Sequence, residues 1–130
     1  MKILTKDQIL AAADLKKETV EVPEWGGSVI IGTMTGTARD AFEFSIYGQG
    51  ADGKNIENIR AKMIAATAQD EKGRLIFNGA EDVIALGLKS VKALDRLFTV
   101  AKRLNGVGAK DLEELEKNLP AVPSGSSIST

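Results

Sequence analysis

Few residues in this chain have the types and spacing that chemistry needs. Gly32-Thr33-Met34-Thr35-Gly36-Thr37 is Gly/Thr-rich and precedes a predicted helix, a setting in which backbone N–H groups can hold a phosphate. It lacks the Gly-Lys-Ser/Thr ending of a P-loop, so a helix cap is the better reading. Asp52-Gly53 and Asp70-Glu71-Lys72-Gly73 hold oxygen ligands, but neither has the ligand count of a calcium loop, and both read as turns. Glu81-Asp82 and Glu113-Glu114-Glu116 are carboxylate clusters on predicted exposed faces, which favours a solvated surface over acid/base work. The 130 residues include no His and no Cys. That removes the commonest general base, the usual nitrogen ligand of zinc and haem, thiolate sites and disulfides. The sequence therefore marks no catalytic residue, no metal ligand and no cofactor site, and the chain does not read as an enzyme.

Composition narrows the class further. Hydrophobic residues make up 43% and charged residues 27% of the chain, which suits one soluble domain with a real core. A net charge of −1 gives no bulk pull on nucleic acid or on an anionic membrane. No apolar run approaches the ~18 residues of a membrane span, and the start of the chain does not read as a signal peptide. The protein is expected to stay in the compartment where it is made.

The most strongly patterned stretch is 86–106, LGLKSVKALDRLFTVAKRLNG. Ser90 can cap a helix there and Asn105-Gly106 can stop it. Val91, Leu94, Leu97, Phe98, Ala101 and Leu104 recur at helical spacing as one broad apolar face. Lys89, Lys92, Arg96 and Arg103 fall opposite, within an arc of roughly 60°. A lone helix of this length is marginal, so the rest of the chain must supply a surface for it.

Upstream, Thr5 can cap a short helix over 6–15, with Ile9, Leu10 and Ala13 on one side. Thr19–Val22 alternates, and Ser28–Ile31 follows a Pro/Gly-containing link, so the two runs read as a hairpin with Trp25 at its turn. Trp25 suits either a lid folded back on the core or an exposed anchor for a partner. Thr35 is expected to cap a helix reaching about Tyr47, with Ala38, Ala41, Phe42, Ser45 and Ile46 on one side, before the polar loop 48–54. Residues 61–69 are ambiguous between helix and strand. The turn Asp70–Gly73 and the run Leu75-Ile76-Phe77 favour a second hairpin, with 62–68 as a strand. A short helix is expected over 80–86, broken by Gly87. An acidic helix is expected over 111–119, stopped by Pro120, ahead of a Pro/Ser/Gly tail over 120–130. The fold class is α+β: a small antiparallel hairpin sheet packed against a mostly helical C-terminal half. Residues 1–119 form its single domain.

Several of these blocks, in order, resemble the tail assembly chaperones of long-tailed bacteriophages and their prophages. The blocks are Pro23-Glu24-Trp25-Gly26-Gly27 after an alternating strand, Arg39-Asp40-Ala41-Phe42-Glu43 on the next helix, Asp70-Glu71-Lys72-Gly73-Arg74-Leu75-Ile76-Phe77, and above all LGLKSVKALDRLFTVAKRLNG. They span roughly residues 1 to 108. The resemblance implies a protein with no catalytic motif, acting in the infected host's cytoplasm and not expected in the finished virion. It implies binding to the long, mostly helical tape measure protein, which is kept soluble, and help in recruiting tail tube subunits. Many members also have a frameshifted longer form. No separate extension domain is evident here, so the short form is expected. A head–tail connector or tail terminator component is the competing reading. On the chaperone reading, Trp25, the basic arc Lys89, Lys92, Arg96 and Arg103, and the tail from Val122 are the expected partner-binding features.

Overall fold

The computed structural model of the chain describes residues 1–48 and 56–107. Among these, five helices and a three-stranded antiparallel sheet make up an α+β fold. The expected helix over 111–119 and the tail over 120–130 lie outside the described residues, as does most of the polar loop at 48–54.

The sheet is built from β1 (Lys17–Val22), β2 (Gly27–Gly32) and β3 (Ala68–Gln69), in that order. β1 and β2 form the expected hairpin, in register from Lys17 opposite Gly32 to Val22 opposite Gly27. A 3-10 turn over Pro23–Trp25 joins them, with proline at its start where no N–H is needed. Gly26 closes the turn at φ +75°, a left-handed conformation that costs glycine little. Side chains alternate along β1, so Val22 is buried while Lys17, Thr19 and Glu21 face solvent.

The helices are α1 (Lys6–Ala11), α2 (Gly36–Tyr47), α3 (Ile59–Thr67), α4 (Gly79–Gly87) and α5 (Val91–Leu104). α5 is the element around which the others assemble, packing on α3 and on both long strands. Ser90 caps it, its hydroxyl accepting from the Ala93 N–H at 3.1 Å. Ala93, Leu94, Leu97, Phe98 and Ala101 are its buried residues. Each large apolar side chain so buried contributes roughly 1.5–3 kcal/mol. Val91, expected on that face, is 58% exposed. It lies about 90° from the centre of the buried arc, just beyond the edge that α3 and the sheet can cover.

The strand expected over 62–68 is corrected: these residues belong to α3 and, at Ala68, to the two-residue β3. Ala61, Met63, Ile64 and Thr67 of α3 are buried together. Helical spacing sets them on one side, whereas an alternating strand would split Met63 and Ile64 between two faces. The alanines at 61, 65 and 66 favour the helix further. The Asp70–Gly73 turn does form. The Asp70 carboxylate accepts from the Lys72 and Arg74 amides at 2.8 and 3.0 Å. The chain then returns with a single bridge, Gln69 to Leu75, so the strand expected over Leu75–Phe77 is not made.

The first helix is also shorter than expected, ending at Ala11 and leaving Ala13 beyond it. Thr5 and Gln8 form a complete capping box, but no residue of α1 is buried. Without tertiary support, the box alone holds about a turn and a half.

Candidate functional site

Lys92, Arg96 and Arg103 of the basic arc lie on the outer side of α5, with Lys89 just before its Ser90 cap, but they do not form a free cationic stripe. Arg96 Nε donates to both carboxylate oxygens of Glu24, at 2.9 and 3.1 Å. Arg103 Nη2 donates to both oxygens of Glu18, at 3.0 Å each. Each arginine therefore ties α5 to the hairpin. The Arg96 guanidinium holds the Glu24 carboxyl below its ordinary pKa, and Lys92 adds a smaller push in the same direction. Lys89 and Lys92 are exposed. Trp25 is half-buried and packs against the core beside this network. It serves partly as the lid and keeps an edge toward solvent.

The feature that sequence reading missed is an apolar trough. α2 and α4 both pack on α3, and the space between them is a concavity of about 570 Å³. Its sides carry Phe42 of α2, Phe77, and Val83 and Ile84 of α4. Ala41, Ala65 and Ala66 give it small-residue surface, which lets another backbone approach closely. Ile84 is 57% exposed although the trough around it is apolar. The polar groups present are largely engaged. Ser45 Oγ donates to the Phe42 carbonyl within α2 at 2.6 Å. Lys62 Nζ donates to the Ser45 carbonyl at 3.4 Å, and burial pushes its pKa down. A trough of this shape accepts the apolar face of an amphipathic helix.

One sequence signal pointed there. On α4 the buried Leu86 faces the core, while Val83 and Ile84 are also apolar. A short helix apolar on more than one side needs more than one partner surface. A neighbouring concavity of about 490 Å³ shares Ala38, Ala66 and Leu75 with the trough and extends it to Leu15 and Thr33.

Among the described residues, no group of three acidic, His or Cys side chains could hold a metal ion, and no helix is long and apolar enough to cross a membrane. The Gly32–Thr37 stretch acts as a cap: the Thr35 hydroxyl accepts from the Ala38 N–H at 3.0 Å. Asp82 is occupied similarly, its carboxylate accepting from the Asn78 N–H at 2.6 Å.

No family model and no curated protein matches the chain. Its fold is similar to that in the solved structure of the bacteriophage HK97 tail assembly chaperone, with a TM-score of 0.52. The two are 20% identical, and the match covers 75% of this chain and 90% of that one. At that identity the likeness is one of fold, and it falls on the family that the ordered sequence blocks resemble.

Proposed function

We propose that this protein is a phage tail assembly chaperone that holds the tape measure protein soluble until the tail is built. The fold shared with the HK97 chaperone carries the reading. The apolar trough supplies a mechanism. A tape measure protein is long and mostly helical, and its apolar helix faces need cover before they are enclosed by the tube. A concavity with small-residue surface and aromatic sides can take such a face without forming or breaking a bond. Further parts of the reading are recruitment of tail tube subunits, residence in the host cytoplasm, absence from the virion and a frameshifted longer form.

Co-expression tests the client. A tape measure protein from a long-tailed phage, co-expressed with this chain, should become more soluble and co-purify with it. Unchanged solubility and no co-purification contradict the proposal. Mass spectrometry of purified virions separates it from a connector or terminator, which stays in the particle.

A further inference from the structure

We infer that the segment Asp111–Leu119 of this chain folds back on its own domain and seats, as a helix, in the lysine-rimmed groove at the open end of the α2–α4 trough. The inference holds whatever client the protein serves.

The groove is the concavity of about 490 Å³ that continues the trough past Ala38 and Leu75. Its large aliphatic side chains are uncovered: Leu15 is 60% exposed and Leu75 45%. Its charged lining has one sign, with Lys16, Lys17 and Lys72 and no carboxylate. Among the described residues every arginine pairs with a carboxylate, whereas none of these three exposed ammonium groups does. An apolar groove with a cationic rim is complementary to an amphipathic helix whose apolar stripe is edged by carboxylates.

Asp111–Leu119 carries that pattern. At ~100° per residue, Leu112, Leu115 and Leu119 fall on one stripe about 60° wide. Asp111 and Glu116 fall about 70° to either side of its centre, and Lys117 falls on the opposite side. Seated with the leucines inward, the helix sets a carboxylate toward each edge of the groove and leaves Lys117 in solvent.

The attachment point favours the chain's own segment. The described residues end at Val107, two positions beyond Asn105, whose side chain accepts from the Met34 N–H. Met34 is part of the groove's wall. The four steps from Val107 to Asp111 span up to ~14 Å, enough to bring the start of the segment to that wall. A connection this short sets an effective concentration in the millimolar range, on the order of 1 mM. Contacts with an exposed rim are individually weak, and this tether lets them hold the segment without a tight intrinsic affinity.

The test uses the full chain without any client. The sequence has no Cys, so Ala38→Cys places a single thiol in the groove wall at a half-buried position. Leu115→Asp should speed maleimide labelling of that thiol at least about fivefold. Lys72→Glu and Glu116→Lys should each speed it as well, and the two together should bring the rate back toward that of the single-thiol parent. A Val91→Cys thiol, at the far end of α5, should label at one rate in all these backgrounds. The Leu115→Asp acceleration should also be constant over an about hundredfold range of chain concentration, as an intramolecular cover requires. An Ala38→Cys rate indifferent to Leu115→Asp overturns the inference, and so does a charge swap that restores nothing. Acceleration at Val91→Cys too marks general loosening and overturns it. An acceleration seen only at high concentration assigns the groove to a different copy and overturns it as well. None of these results bears on tape measure binding, which is measured separately.

Discussion

Asn105 reaches across the fold to Met34: its Oδ1 accepts from the Met34 N–H at 2.6 Å. Its Nδ2 donates to the Ala101 carbonyl at 2.9 Å and the Gly32 carbonyl at 3.3 Å. Arg39 Nη1 donates to the Asn105 backbone carbonyl at 3.0 Å. The residue that ends α5 thus also fixes where β2 turns into α2. That junction sets the position of α2, and so of the trough's Phe42 side. Gly106 follows at φ +68° and carries the chain out of the helix.

Asn105→Ala deletes all three side-chain bonds and leaves the Met34 amide, partly buried, without its acceptor. The expected cost is about 1–3 kcal/mol in chemical denaturation, with an unchanged m-value. Asn105→Asp keeps an acceptor for Met34 and should cost less than Asn105→Ala. A loss under about 0.5 kcal/mol for the alanine variant contradicts a stapling role.

The centre and edge of the α5 face should separate cleanly. Leu97 is fully buried, so Leu97→Ala should cost about 2–5 kcal/mol. Val91→Ala at the exposed edge should fall within about 0.5 kcal/mol of the parent. Similar losses at both positions would show that α5 buries a different face.

Acid stability should carry the mark of two carboxylates. Glu24 is held below its ordinary pKa chiefly by the Arg96 hydrogen bond, and Asp70 chiefly by the Arg74 amide. A carboxyl with a depressed folded pKa stabilises fully above its unfolded value and loses that contribution as pH falls through the folded one. Melting temperature should therefore gain nothing from these groups between neutral pH and the ordinary carboxyl range, and drop below it. Arg96→Gln should shallow the acid limb and leave the Asp70 share intact. An acid limb identical in both proteins contradicts the role given to Arg96.

Trp25→Ala should weaken tape measure capture more than Lys92→Ala. Trp25 combines a half-buried ring with a solvent edge, and aromatic anchors dominate binding energy over exposed lysines. A pull-down reads the ranking, with melting temperatures to separate lost binding from lost stability. Equal and negligible losses refute it.

Local rules carried the reading where one stretch determines its own outcome. Ser90, the apolar face of α5 and Asn105-Gly106 name that helix without reference to any other element. The alternation before Trp25 and the turn residues after it do the same for the hairpin. Residues 62–68 fail that test, since a short apolar run fits either period. Burial against α5 decided for the helix. The arginines of the basic arc could not be paired from spacing alone, because Glu18 and Glu24 lie 85 and 72 residues away in the chain. The trough was illegible for the same reason: Phe42, Ala65 and Ile84 meet only after three helices have packed.

Direct titration of the purified full chain against helical segments of the tape measure protein tests the client-holding role most closely. Saturable binding is expected, with Ile84→Asp weakening it at least about tenfold while leaving the fold intact. No binding to any segment, or binding that Ile84→Asp leaves unchanged, contradicts a chaperone that works through this trough.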